Sequence, residues 1–251
     1  MLRQCNLTVS LKSRRACQMR AIAACIFAIA CAAYPFPTSS WAEDAIVVPA
    51  PAFLEPQLAT VGDERAVLAG GCFWGVQAVF QHVKGVKNVV SGYAGGNADT
   101  AQYETVSTGE TGHAESVEIT FDPNAINYAT ILQVYFSVAH NPTELNYQGP
   151  DSGTQYRSAI FPQSASQKQV AETYILQLGK GGVFAAPIVT SIEPAKTFYP
   201  AEEFHQDYAT LHPDNPYIAI NDLPKVENLS RLFPDLYSPA PKLVKDASNH
   251  G

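Results

Sequence analysis

Only one of the chain's five cysteines, Cys72, lies beyond residue 31. Whatever folds after that point cannot close an internal disulfide, so its fold must be held by burial of apolar side chains. Hydrophobic residues make up 46% of the chain, enough for a core. A length of 251 residues suits one ordinary domain with extensions.

The first segment reads as something other than fold. Residues 1–42 carry Arg3, Lys12, Arg14, Arg15 and Arg20 and no acid. The apolar run Ala21–Ala33 follows, and Ser40-Trp41-Ala42 places small residues at both positions a signal peptidase reads. Positive flank, short apolar run and small-residue site predict a secretory signal peptide over 1–42. The mature chain is then expected in the periplasm, across the inner membrane. The apolar run is too short to span a bilayer comfortably. An uncleaved anchor and lipidation at Cys31 are the alternatives, the latter poorly matched by Ala28-Ile29-Ala30. Cleavage removes five of sixteen basic residues and none of twenty-three acids, moving the net charge from −7 to about −12. Such a chain repels nucleic acid and anionic lipid. Both methionines, Met1 and Met19, leave with the leader, so the mature chain has none to be oxidised.

Residues 43–64, with Pro49, Pro51 and Pro56, read as an extended arm, and 238–251, with Pro239 and Pro241, as a disordered tail. One domain lies between, at 65–237. Val67-Leu68-Ala69 is a strand candidate, broken by Gly70-Gly71. Phe73, Val76, Phe80 and Val83 recur at helical spacing, which predicts a helix over Cys72–Val83, ended by Gly85. Strands are expected at Val86–Tyr93, Tyr103–Thr108, Ala114–Phe121, Gln155–Phe161 and Ile188–Glu193. Helices are expected at Tyr128–Ala139, Ser166–Leu178 and from Pro200 to about Leu211, with proline in the first turn. Strands and helices mix without strict alternation. That predicts an α+β fold: a two-layer sandwich of a mixed β-sheet packed by helices, with a ferredoxin-like core and long loops.

Three stretches carry chemistry. The first is Gly70-Gly71-Cys72-Phe73-Trp74-Gly75. It sets a thiol at a strand-to-helix junction, where free N–H groups and the helix dipole are expected to lower its pKa. Phe73 and Trp74 add two aromatic surfaces, though both also suit a core. A lone cysteine is commonly buried and inert, and the junction argues for a reactive one. The second is Gly112–Phe121. Strand alternation puts Glu115 on the face of Val117, Ile119 and Phe121. Burial there would keep the carboxyl protonated and fit it for general-acid work. A strand-end Glu reaching solvent beside Gly112 fits the pattern equally. The third is the glycine-rich stretch Gln148–Ser158, which offers Asp151 as an acceptor and Tyr156 as a hydroxyl donor. An ordinary turn and strand explain it as well. His113, His140, His205 and His212 show no metal-ligand spacing, and no Cys-x-x-Cys is present.

At these residues the chain resembles the peptide methionine sulfoxide reductases of the A class, which act on the S epimer. The matching stretches are Gly71–Gly75, Gly92–Gly96, Gly109–Glu115, Gly153–Ser158 and Phe198–Tyr208, and the similarity covers about 65–237. The resemblance implies Cys72 as nucleophile and Glu115 as proton donor to the sulfoxide oxygen. It implies Tyr103 and Tyr156 as hydrogen-bond partners of that oxygen, and Asp151 as a substrate-orienting group. Phe73 and Trp74 would hold the methyl group. It implies no metal and no bound cofactor. Two departures stand out. Many members carry Glu where this chain has Gln77, with little effect on chemistry expected. Many also have a resolving cysteine near the C-terminus, and nothing after Cys72 serves here. A sulfenic acid left on Cys72 would need an external thiol: a thioredoxin, a glutaredoxin or a small thiol. The expected partners are that reductant and methionine sulfoxide, free or in oxidised proteins, for a monomeric enzyme. The rivals are a one-cysteine peroxidase, a cysteine hydrolase using His113, His140 or His205, and a binding domain with an inert Cys72.

Overall fold

The computed structural model describes residues 45–54 and 62–244. The segment 1–42, expected as a signal peptide, therefore lies outside the described residues, as do parts of the arm and tail.

Strand β1 (Glu64–Gly70) leads into helix α1 (Phe73–Gln81), then β2 (Val86–Ala94), the short helix α2 (Tyr103–Val106) and β3 (Ala114–Phe121). Helix α3 (Tyr128–Val134) widens into a π turn at Tyr135–Ala139. The small hairpin β4 (Tyr147–Gln148) and β5 (Asp151–Ser152) precedes β6 (Ser158–Phe161) and the longest helix, α4 (Ala165–Lys180). Then come β7 (Ser191–Ile192), β8 (Tyr199–Pro200), α5 (Tyr208–Leu211), a second π turn at Ile218–Asp222 and α6 (Leu223–Leu232).

The main sheet runs β7-β6-β1-β3-β2-β8. Its four central strands, β6-β1-β3-β2, are antiparallel, with β1 and β2 joined through α1 across the intervening β3. That is the split βαβ arrangement of a ferredoxin-like core. β7 adds in parallel to β6, which makes the sheet mixed. On the helix-covered face Leu68, Val89, Val117, Ile119 and Phe121 are buried against α1 and α3. The opposite face is a smaller apolar cluster of Val67, Ala69, Ala94, Ala114, Ala159 and Phe161, with Phe198 packed on it. α3 and α4 begin on side-chain caps: Asn127 accepts from the Thr130 N–H at 2.8 Å and Ser164 from the Gln167 N–H at 3.0 Å.

Several expected elements differ. Tyr103–Thr108 is not a strand. Residues 103–106 form one helical turn, because the Gln102 carbonyl accepts from Val106 N and Ser107 Oγ bonds the Tyr103 carbonyl. The segment from Pro200 to Leu211 is not one helix. Pro200 pairs in β8, a 3₁₀ turn spans Glu203–His205, and Asp207 at φ 58° reverses the chain before α5. Ile188–Glu193 pairs only at Ser191–Ile192, and Gln155–Tyr156 belong to a 3₁₀ turn ahead of β6. Residues 238–244, expected as part of a disordered tail, lie along α1: Ser238 N donates to the His82 carbonyl at 2.7 Å and Lys242 N to that of Gln81 at 2.9 Å. The described part of the arm is extended but clamped. Val48 is fully buried, its N–H donates to Ser137 Oγ, and its carbonyl accepts from Gln133 Nε2.

Candidate active site

Cys72 is the residue that caps α1, with non-helical φ −53° and ψ 123°. Gly71 before it turns at φ +87°, and a Cβ there would sit 2.6 Å from Cβ of Gln148. Only glycine allows the β1–α1 corner to press this closely on the β4–β5 hairpin.

The thiol is 8% exposed. The sequence led us to expect a lowered pKa, and the surroundings overturn that. Burial pushes the Cys72 thiol well above its ordinary value, Glu115, Asp222 and Asp151 push the same way wherever they are ionised, and the Trp74 backbone N–H opposes them. Desolvation and like charge outweigh one helix end. At rest Cys72 is therefore a thiol.

Glu115 is 3% exposed on β3, facing the apolar layer as alternation predicted. Its Oε2 accepts from the Phe73 backbone N–H at 3.1 Å, which fixes the carboxyl beside the first turn of α1. Burial raises its pKa to about 8; the Phe73 N–H opposes the shift and Asp151 and Asp222 add to it. At neutral pH the carboxyl keeps its proton. The β3 end that presents it is held by Arg157, which donates to the Gly112 and His113 carbonyls and pairs with Glu193 at 2.7 Å.

An aromatic wall stands on the other side. Phe73 is buried, with its ring centroid 5.1 Å from His205 and 5.9 Å from Tyr93. Trp74 stays partly open, stacks on Tyr208 at 4.0 Å and meets Tyr217 edge-on at 6.0 Å. Its Nε1 donates to His205 Nδ1 at 3.2 Å. Tyr103 lies over His205, ring centroids 4.4 Å apart. Burial raises the pKa of the Tyr103 and Tyr156 hydroxyls, with Glu115 contributing to both, so both remain proton donors. Asp151 accepts a short hydrogen bond from the Tyr217 hydroxyl. The six other residues singled out in the sequence thus gather around Cys72.

Sequence reasoning missed several others. Glu202 accepts from Tyr93 OH at 2.8 Å and from the Tyr103 N–H at 3.0 Å, which fixes α2 against β2. His205, Tyr208, Tyr217 and Asp222 also line the centre. The first two fall inside the matched stretch Phe198–Tyr208, so a signal for them existed. Gln77 is structural: Nε2 donates to the Val89 carbonyl and Gln206, while Oε1 accepts from Asp207 N. Among the described residues no cluster of three or more His, Cys, Asp or Glu could hold a metal.

The sequence profile of the family described as peptide methionine sulfoxide reductase matches residues 64–235. A relative named peptide methionine sulfoxide reductase MsrA 2, from Mesorhizobium japonicum, is 66% identical over 76% of this chain and 98% of its own length. One from Deinococcus radiodurans, named peptide methionine sulfoxide reductase MsrA, is 51% identical over 68% of this chain and 83% of its own. Among solved structures, reduced Mxr1 of Saccharomyces cerevisiae superposes with a TM-score of 0.55 at 31% identity, covering 69% of this chain and 93% of that one. Methionine sulfoxide reductase A of Corynebacterium diphtheriae gives 0.51 at 32%, covering 66% and 83%.

Proposed function

The chain belongs to the peptide methionine sulfoxide reductase family and reduces methionine sulfoxide to methionine in protein repair; from that premise we propose that Cys72 attacks the sulfoxide sulfur while Glu115 protonates its oxygen. The observation that carries this is the Glu115 carboxyl, buried and protonated, held at the first turn of the helix that Cys72 caps. A sulfoxide oxygen leaves poorly as oxide and well once protonated. The Tyr103 and Tyr156 hydroxyls steady that oxygen. Phe73 and Trp74 hold the S-methyl group, since sulfur and aromatic rings attract. Asp151 orients the substrate through a peptide N–H. The S epimer is the one reduced.

The product on the enzyme is a Cys72 sulfenic acid. No cysteine follows Cys72 in the sequence, so an external thiol, from a thioredoxin, a glutaredoxin or a small thiol, must reduce it. Export to the periplasm rests on the leader, with five basic residues ahead of or within an acid-free segment. A hydrolase reading fares worse. A hydrolase needs an imidazole free to take the thiol proton, and the three rivals are engaged elsewhere: His113 accepts from the Gly96 N–H, His140 bonds Ser158 Oγ and the Tyr135 carbonyl, and His205 Nδ1 accepts from Trp74 Nε1.

The test is an assay of racemic methionine sulfoxide with dithiothreitol. Half the substrate should be consumed and half left, and Cys72→Ser should abolish turnover. Reduction of both epimers, or activity in Cys72→Ser, overturns the assignment.

A further inference from the structure

A protonated Glu115 leaves one proton unaccounted for. Cys72 rests as a thiol, and it must shed that proton to attack. Glu115, already neutral below about pH 8, cannot take it.

Asp222 ends the π turn before α6 and is fully buried. It sits against the first turn of α1: a Cβ on Gly75 would lie 2.1 Å from Asp222 Oδ1. Gly75 follows Cys72 by three positions, so the two share one face of the turn. The absent side chain at Gly75 is what admits the carboxylate to that face. Oδ1 pairs with Lys225 Nζ at 3.4 Å, while Oδ2 is buried with no hydrogen-bond partner. A buried orphan acceptor is costly to keep. Burial pushes this carboxyl up to about 6 and Lys225 holds it down, so it is ionised at pH 7. The other groups around the thiol do not serve. Asp151 is engaged by Tyr217, His205 already accepts from Trp74 Nε1 at Nδ1 so that its Nε2 carries the ring hydrogen, and Tyr103, Tyr156 and Tyr217 keep their own protons.

We propose that Asp222 is the acceptor for the Cys72 proton, working opposite to Glu115. This rests on the reaction assigned above. The Cys72 S–H bond breaks and its proton passes to the Asp222 carboxylate. A bond forms between Cys72 Sγ and the sulfoxide sulfur, and the oxygen takes the Glu115 proton. The hydroxyl then transfers to Cys72 sulfur as the sulfur–sulfur bond breaks and its electron pair returns to methionine. Asp222 passes its proton on to Glu115. Sulfoxide sulfur gains two electrons, Cys72 sulfur loses two, and no other reactant is needed.

The experiment compares the parent with Asp222→Asn in two readouts across pH 5–9. One is the single-turnover release of methionine without reductant, and the other is alkylation of Cys72 by iodoacetamide. In the parent, release should rise with pH through about 6, where Asp222 ionises. Asp222→Asn should lose that limb and release methionine at least about ten-fold more slowly at pH 7. Alkylation should be no slower, because a negative charge near the thiol is gone. An unchanged limb, or a parallel fall of both rates as a displaced thiol would give, overturns the proposal. If Asp222→Asn does not fold, Lys225→Met decides. Loss of the cation should move the limb to higher pH, and a fixed limb overturns the proposal. Failure of the parent to release methionine would instead sink the assigned reaction.

Discussion

On the proposed reaction one carboxyl, that of Glu115, sets both the chemistry and its pH range. Its folded pKa of about 8 lies above the ordinary carboxyl value because burial disfavours the charge. The acid form is therefore present below pH 8 and lost as pH rises through it. We expect kcat/KM to fall above about pH 8 in the parent. Glu115→Gln should keep the fold by circular dichroism and lose at least about 100-fold in kcat/KM, with that alkaline limb gone. Retained activity would remove Glu115 from the reaction. This residue was legible in the sequence, since strand alternation put an acid in an apolar register. Cys72 was legible as a site but not in its charge state: a helix start is visible in sequence, whereas three acids converging from β3, the β4–β5 hairpin and the second π turn are not. Asp222 was invisible for the same reason. No apolar period or motif singles out 221–224, and only the fold lays the Asp222 carboxylate against Gly75.

Long periodic elements could be read, and short ones held by side chains could not. β3 and α1 follow their apolar periods to within a residue or two. α2 is one turn made by Gln102 and Ser107, and the 200–211 segment is broken by Asp207 in the left-handed region, features no periodicity announces. Caps give a test at this level. Ser164→Ala removes the acceptor for Gln167 N and should lower stability by about 1 kcal/mol in urea denaturation. A shift within error would mean that tertiary packing alone holds the start of α4. Gly71→Ala should cost more, because φ +87° is strained for alanine and its Cβ would strike Gln148. That variant should also slow alkylation of Cys72, since it moves the corner carrying the thiol.

For the molecule as a whole, the described parts of the arm and tail, 45–54 and 238–244, are part of the folded unit. Val48 fills a closed site, Tyr174 OH bonds the Pro49 carbonyl at 2.7 Å, and Gln177 grips the Ala50 and Ala52 backbone. Val48→Ala should lower the unfolding free energy by about 1–3 kcal/mol with little change in kcat. An unaltered urea midpoint would show that the clamp adds nothing. Proline spacing gave only the expectation of an extended arm; the partners of its described part, 85 to 125 residues away in sequence, were out of reach of local pattern. The sheet, finally, ends on both sides in strands of two residues, β7 and β8. An enzyme whose clients are damaged chains meets exposed backbone constantly, and a long open edge would recruit that backbone as an added strand. Two-residue edges give such a chain almost no ladder to extend. A client that offers one oxidised side chain to Cys72, as the proposed reaction has it, then meets little sheet margin on which to linger.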